Sequence, residues 1–270
     1  MAAATSLRHR ALLGNGSRPT LRRPARGTRT MHRHTPGKSR KSRTIEAVVF
    51  DVGETLVDET IEYHNWADWL GVPRHTFSAV FGAVVAAGRP HLEAFRYFRP
   101  GFDLEAEREL RTLAGRPEGY GERDLYPDAR RTLAALKDAG YLVLIAANQT
   151  AASHRILESM ELPVHLVTTS AMWGDLEKPD PAFFAKVVEV CDEVSRREGR
   201  GPLPGAGSVL YVGDRLDNDL RPAWGAGLRT AFIRRGPWGL VHGDHPDLVA
   251  KTDFYLTSLD QLPGMLTDEE

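Results

Sequence analysis

The chain has 270 residues, a length that suits one domain with an insertion or two small domains. Its apolar fraction of 41% is ordinary for a globular protein, and no apolar stretch approaches the length of a membrane span. The single cysteine, Cys191, excludes an intrachain disulfide and is typical of a reducing compartment, so we expect a cytoplasmic location.

The formal net charge of −1 hides an uneven distribution. Residues 1–43 contain twelve arginines and lysines and no acidic residue, so 23 basic residues face all 36 acidic ones after position 43. This leader is rich in Gly, Pro, Ser and Thr, and we predict that it is disordered. We favour an unstructured or mis-started leader, with Met31 as the true start, over an organelle-targeting segment or a segment that binds an acidic surface. Nucleic-acid binding would rest on this leader alone, and we discount it.

Strand and helix patterns alternate along the rest of the chain. The apolar run 45–50 predicts a first strand, which stops at Asp51 in a glycine-containing loop. Residues 58–124 then change to helical spacing, with three Gly- and Pro-containing breaks, which indicates an insertion of several short helices. Beyond the insertion, helices are predicted at 127–139, 154–160, 181–194 and 216–225, and strands at 141–147, 164–169, 208–212, 230–233 and 254–256, with the segment 259–266 after the last strand.

Buried strands that alternate with helices predict an α/β fold with a parallel sheet. We predict a Rossmann-like, doubly wound core built from residues 44–57 and 125–265, with an inserted α-helical cap at 58–124. Ligands of such sheets bind beyond the carboxyl ends of the strands. The fold therefore directs attention to the polar residues that follow each strand.

Charged and amide side chains stand at or near several of these strand ends. Each has an ordinary structural explanation, as a turn residue, a surface lysine or a helix cap. Their joint occurrence in one chain favours a functional site instead. The residues are Asp51, Asn148, Gln149, Lys178, Asp214, Asp217 and Asp219.

The motifs around these residues follow a recognisable order. D-x-G-x-T-L spans 51–56, a strand ends before Asn148, K-P-D-P spans 178–181, and V-G-D-x-x-x-N-D spans 212–219. In this order the chain resembles the haloacid dehalogenase-like (HAD) hydrolase superfamily over residues 44–265. The insertion directly after the first motif resembles the C1 helical cap of subfamily I.

The resemblance implies a covalent mechanism. Asp51 matches the nucleophile, which in phosphatases forms an aspartyl-phosphate that water hydrolyses. Lys178 matches the lysine that neutralises the nucleophile and the transferring group. Catalysis of phosphoryl transfer consists largely of positioning and charge stabilisation. We therefore expect a phosphatase that acts on a small phosphorylated metabolite, with no prediction for its oligomeric state.

The resemblance also implies a Mg²⁺ cofactor, which prefers oxygen ligands. Asp51, the backbone carbonyl of Gly53 and Asp214 match its protein ligands. Asp219 and Asp217 match outer residues that hold Lys178 or metal-bound waters. For the phosphoryl group, we expect Lys178 and the backbone N–H groups of Asn148 and Gln149 as donors.

Two positions depart from the phosphatase pattern. Gly53 stands where phosphatases carry a second Asp, which protonates the leaving group and then activates water; loss of such an acid costs roughly 10²–10⁴-fold in rate. Glu54, Asp58, His64 and His91 are alternative candidates to replace it. Ala147 stands where many members carry a hydroxyl that bonds a phosphoryl oxygen, a loss of roughly 1.5–3 kcal/mol.

These departures leave other activities open. A haloacid dehalogenase-type hydrolase needs no leaving-group acid, but it works without metal, whereas Asp214 and Asp219 favour a metal site. A phosphonate hydrolase uses a cap lysine, and residues 58–124 contain none. The third alternative is a catalytically weak HAD-fold binding or regulatory protein. In the cap, Arg96 and Arg99 are candidates to contact an anionic substrate, as is the segment 234–239 at the rim.

Overall fold

The computed structural model describes residues 45–174 and 176–267, so the predicted leader lies outside the described residues. The sheet has six parallel strands in the order β3-β2-β1-β4-β5-β6, which confirms the α/β, Rossmann-like prediction. The strands are β1 Ala47–Phe50, β2 Leu142–Ala147, β3 Leu166–Thr169, β4 Val209–Gly213, β5 Arg229–Ile233 and β6 Phe254–Leu256.

Eleven α-helices are present among the described residues. Four lie in the predicted insertion: α1 Thr60–Leu70, α2 Arg74–Ala86, α3 Leu92–Phe98 and α4 Leu104–Leu113. Seven follow it: α5 Ala129–Asp138, α6 Ala151–Ser159, α7 Pro181–Arg197, α8 Arg221–Gly225, α9 Gly236–His242, α10 Pro246–Lys251 and α11 Gln261–Thr267. No helix in this part of the chain is long and apolar enough to cross a membrane.

Different helices cover the two faces of the sheet. On one face Leu133 of α5 and Leu262 of α11 share a hydrophobic cluster with Val143 of β2. On the other face Phe184 of α7 shares a cluster with Val49 of β1. All five side chains are completely buried, and each such burial contributes roughly 1.5–3 kcal/mol. Because both faces are covered, the strands are apolar throughout, and the exposed polar chemistry is confined to their ends.

The helices of the insertion have a core of their own. Trp66, Phe77 and Phe95 form its centre, with rings packed edge to face at centroid distances of 5.1 and 5.5 Å. Trp238 of α9 joins this cluster from outside the insertion, 5.3 Å from the ring of Phe81. The cap therefore contacts the rest of the chain through an aromatic anchor on α9. The cap boundaries at 58 and 124 stay a prediction.

Three local features differ from the sequence-based prediction. The helix predicted at 216–225 begins as a π-helical turn, Leu216–Leu220, before α8. Helix α7 continues to Arg197, three residues beyond its predicted end at 194. Segment 234–239, which is predicted to lie at the rim, contains the start of helix α9, and Pro237 lies in its first turn, where a proline is tolerated.

Candidate active site

The carboxyl ends of β1 and β4 form the centre of the site. These strands are neighbours in the sheet, and the strand order reverses between them, which is where α/β sheets bind ligands. Asp51 follows β1 and Asp214 follows β4, and the backbone N–H of Asp51 donates to the carbonyl of Val212 at 2.9 Å. The sheet thus brings two predicted site residues together.

Lys178 lies between two carboxylates. Its Nζ is 2.7 Å from Oδ1 of Asp51 and 2.6 Å from Oδ1 of Asp219, and the lysine is only 3% exposed. Burial lowers the pKa of Lys178, but the carboxylates of Asp219 and Asp51 outweigh it, so the pKa is well above its usual value. The lysine is therefore a fixed positive charge beside Asp51.

Asn148 positions this lysine through its backbone. The Asn148 side-chain amide donates to the carbonyl of Lys178 at 2.9 Å, and the Lys178 N–H donates to Asn148 Oδ1 at 2.8 Å. Both polar ends of the Asn148 side chain are used in this way. The asparagine at the end of β2 thus fixes the loop that carries Lys178.

Three carboxylates have the geometry of a metal site. Oxygens of Asp51, Asp214 and Asp219 lie within 4.8 Å of one another, and all three residues are buried. Burial raises the pKa of Asp214 well above its usual value, and the charges of Asp219 and Asp51 add to the shift. Within the described residues, Oδ2 of Asp214 is buried without a hydrogen-bond partner. A buried oxygen without a partner, in a set of hard oxygen donors, fits Mg²⁺.

Gly213 makes room for this arrangement. A Cβ atom built on Gly213 would collide with the side chain of Asp219. The glycine before Asp214 therefore lets the Asp219 carboxylate approach the end of β4, where it also accepts the N–H of Arg215 at 3.0 Å.

Two predicted residues have other partners. Asp217 pairs with Arg215 at 2.9 Å, and its side chain is 52% exposed, so it does not reach Lys178. The backbone N–H of Gln149 donates to Oγ of Ser170 at 3.2 Å, and its side-chain oxygen accepts from the hydroxyl of Tyr120 at 3.3 Å. Ser170, directly after β3, therefore supplies a hydroxyl near the strand end where Ala147 has none.

The space beside Gly53 is occupied by the side chain of Glu59, which is not among the residues predicted from the sequence. A Cβ atom built on Gly53 would lie 2.8 Å from Oε1 and 2.9 Å from Cδ of Glu59. Glu59 is the residue before α1, yet its side chain makes no capping hydrogen bond. Burial, together with the carboxylates of Glu54 and Asp51, raises the pKa of Glu59 to about 8. In the sequence, Glu59 is only one of several acidic residues near the start of the insertion, so its role could not be read there.

The four residues proposed to replace the missing acid have different surroundings. Glu54 is buried and accepts a hydrogen bond from the hydroxyl of Tyr126. Asp58 accepts the N–H of Thr60 at 2.8 Å. His91 packs its ring 5.8 Å from Trp238, and His64 is absent from the residues that line the cavity.

A cavity of about 1460 Å³ connects the strand ends with the cap helices. Asp51 and Lys178 line it from the core, Glu59 lines it at the start of the insertion, and Trp66 and Arg108 line it from the cap. Arg96 and Arg99, predicted as candidate contacts, are absent from its lining, and Arg99 pairs with Glu107 at 2.6 Å. The nucleophile candidate thus opens into a space large enough for a small metabolite.

Comparisons with known proteins agree with this geometry. The model of the haloacid dehalogenase-like hydrolase family matches residues 45–227. The glyceraldehyde 3-phosphate phosphatase of Methanopyrus kandleri is 34% identical over 116 residues, which are 42% of this chain and 45% of that enzyme. The enzyme of the same name from Pyrococcus furiosus is 24% identical over 247 residues, which are 84% of this chain and 95% of that enzyme.

A solved structure shows the same fold. YfnB from Bacillus subtilis, described as a HAD-hydrolase and crystallised with bound magnesium, superposes with a TM-score of 0.58 at 17% identity, over 83% of this chain and 99% of that one. This likeness identifies the fold, and the family model matches more than half of the sequence. The chain belongs to the haloacid dehalogenase-like hydrolase family.

Proposed function

We propose that the protein is a Mg²⁺-dependent phosphatase of a small phosphorylated metabolite and works through an aspartyl-phosphate intermediate. The observation that carries this proposal is the Asp51–Lys178 pair beside the partnerless Oδ2 of Asp214. The names of the two archaeal relatives, both glyceraldehyde 3-phosphate phosphatases, support a phosphorylated substrate.

The residues suggest how the first step proceeds. A carboxylate oxygen of Asp51 attacks phosphorus and displaces the substrate oxygen, while Lys178 offsets the charge of the group in transit. Asp219 holds Lys178 in place at 2.6 Å. Asp51, Asp214 and the Gly53 carbonyl would hold the metal, which, when bound, supplies positive charge to the phosphoryl oxygens.

The donors for the phosphoryl group are more restricted than the resemblance implies. Lys178 remains available beside Asp51, and the backbone N–H of Asn148 remains a proposed donor. The N–H of Gln149 already donates to Ser170, so its use would require that bond to be exchanged for one to the phosphoryl group. Outer support comes from Asp219, while Asp217 stays with Arg215.

The charge of the site separates this proposal from dehalogenation. Three clustered carboxylates face one lysine, so two negative charges are unmatched within the cluster. A divalent cation balances them, whereas a metal-free dehalogenase would bring an anionic substrate to an already negative site.

The single cysteine, Cys191, is buried on α7, and the cytoplasmic location stays a prediction.

A phosphate-release assay tests the proposal. Purified protein, freed of metal with a chelator, is tested on glyceraldehyde 3-phosphate, other alkyl phosphates, aryl phosphates and acetyl phosphate, with and without Mg²⁺. We expect Mg²⁺-dependent release in the wild type and a loss of at least about 10³-fold in Asp51→Asn.

The control is Asp260→Asn, which removes an exposed carboxylate paired with Arg131 on the surface. It should keep wild-type activity. Halide release from a 2-haloacid without metal, and no phosphate release, would replace the proposal with dehalogenation. Ligand binding without any turnover would replace it with a binding role.

A further inference from the structure

Expulsion of an alkoxide from a phosphate ester requires a proton donor near the leaving oxygen. Gly53 offers none. A carboxylate nevertheless lies at this place, because the Glu59 side chain occupies the volume into which a side chain at position 53 would project. The chain thus supplies the functional group of an acid at position 53 from six residues further along.

Folding of the loop 52–58 brings Glu59 back to this position. The N–H groups of Leu56 and Val57 both donate to the carbonyl of Val52, at 2.8 and 2.9 Å, and the N–H of Glu54 donates to the carbonyl of Val57 at 2.8 Å. These bonds close a compact turn between β1 and α1. Glu59 is therefore positioned by backbone hydrogen bonds and by the start of a helix.

Two charged groups near Asp51 are already engaged, and Asp214 is assigned to the metal. Lys178 is held between two carboxylates, and Glu54 accepts the hydroxyl of Tyr126. In the part of the chain that the structure describes, no hydrogen bond or ion pair engages the Glu59 carboxylate. Since this side chain lines the same cavity as Asp51, its carboxyl group is available to a substrate oxygen.

We infer that Glu59 is the catalytic acid and base of this enzyme, replacing the carboxylate absent at Gly53. This inference rests on the proposed phosphatase function. In the first step an Asp51 oxygen bonds to phosphorus, the bond from phosphorus to the leaving oxygen breaks, and the Glu59 carboxyl proton passes to that oxygen. In the second step the Glu59 carboxylate takes a proton from water, water oxygen bonds to phosphorus, and the bond to Asp51 breaks, which yields phosphate.

The test uses the acidity of the leaving group. A poor leaving group such as an alkoxide needs the proton, whereas acetate departs from acetyl phosphate without one. We expect Glu59→Gln to lower kcat/KM by roughly 10²–10⁴-fold on the best alkyl phosphate and by less than about tenfold on acetyl phosphate. The ratio kcat/KM is the correct measure because it covers only the steps up to departure of the leaving group.

A relocation variant separates catalysis from structure. Glu59→Ala vacates the space next to Gly53, and the double variant Gly53→Asp with Glu59→Ala places a carboxylate there again. We expect the double variant to recover at least about tenfold of the alkyl-phosphate activity that Glu59→Ala loses. Thermal melts show whether each variant is folded, and activity on acetyl phosphate provides an internal check of the nucleophile.

Two matched controls test neighbouring acids. Asp58→Asn keeps the oxygen that accepts the N–H of Thr60, and Glu54→Gln keeps an acceptor for Tyr126. Neither should change the ratio of alkyl to acetyl phosphate activity. An equal loss on both substrates in Glu59→Gln, or a leaving-group effect in Glu54→Gln or Asp58→Asn in its place, would overturn the assignment. If wild type released no phosphate from any substrate, the proposed function itself would fail, and the assignment with it.

Discussion

The core side and the cap side of the cavity carry charge in different ways. The core side, formed by Asp51, Lys178, Asp214 and Asp219, has three carboxylates and one ammonium group. In the cap, Arg111 pairs with Glu62 at 2.5 Å, and Arg108 pairs with both Glu118 at 2.6 Å and Glu105 at 2.5 Å. The difference indicates that the cap pairs hold helices together, whereas the core side is built to receive a cation and a reacting group.

The largest expected effect comes from Lys178→Met, which removes the ammonium group between Asp51 and Asp219. It leaves Asp219, which has no exposed surface, without its counter-ion. We expect the free energy of unfolding to fall by about 3–5 kcal/mol, because an uncompensated buried charge remains. Urea denaturation at neutral pH measures this. A change below about 1 kcal/mol would mean that the ammonium group is dispensable for folding, and the comparison would fail.

The effect of Asp214→Asn on stability should change sign when Mg²⁺ is added. Without divalent cations we expect this variant to be more stable than the wild type, because it removes a carboxylate that burial and two neighbouring charges disfavour. Mg²⁺ at 100 times its Kd should stabilise the wild type by about 2.7 kcal/mol and the variant far less. Thermal unfolding with and without Mg²⁺ tests this, and Asp217→Asn, on the same turn, should keep the wild-type response. An unchanged response in Asp214→Asn would remove Asp214 from the metal site.

In the cap, Arg111→Met should lower the free energy of unfolding without lowering the catalytic activity. Arg111 is 1% exposed, pairs with Glu62 at 2.5 Å and stacks 4.1 Å from the centroid of the Trp66 ring. We expect a loss of about 2 kcal/mol, because Glu62 is left partly buried without its counter-ion and keeps only the N–H of Gly119 at 3.4 Å. The double variant Arg111→Met with Glu62→Leu should recover most of it. If kcat at 25 °C also fell in Arg111→Met, the pair of Arg111 and Glu62 would take part in catalysis.

The smallest expected effect is a pH dependence at His91. Burial, helped by the charges of Arg215 and Arg108 and opposed by that of Asp217, lowers the pKa of His91 to about 4. The unfolded chain binds this proton near pH 6.5 and the folded chain only near pH 4, so stability is lost as pH falls through this window. We expect about 1–2 kcal/mol more loss in the wild type than in His91→Gln between pH 6.5 and 4. Parallel curves for the two proteins would contradict this.

Much of the fold and part of the site can be predicted from the sequence, since both depend on local patterns. Buried strands are recognisable in the sequence as apolar runs, and a parallel sheet places Asp51 and Asp214 at one edge. The geometry also brings Lys178 and Asp219 to that edge, as predicted from the resemblance. The catalytic roles themselves stay predictions until the variants are measured.

The surroundings of Gly53 could not be predicted in this way. Glu59 reaches Gly53 only because the intervening turn closes on the carbonyl of Val52, and no periodicity relates positions six apart in a loop. Helix α9 was missed for a related reason: the Gly and Pro of residues 236–239 are turn residues in most contexts, and only packing against the cap reveals Trp238 as an anchor.

Trp238 also links the two sides of the cavity. Its ring contacts Phe81 and His91 in the cap, and the guanidinium of Arg215, the residue after Asp214, lies 4.5 Å from its ring centroid. An indole with this many polar and aromatic neighbours changes its emission when any of them moves away. Intrinsic fluorescence, with Trp238→Phe as the reference, therefore gives a label-free optical signal of cap separation during turnover.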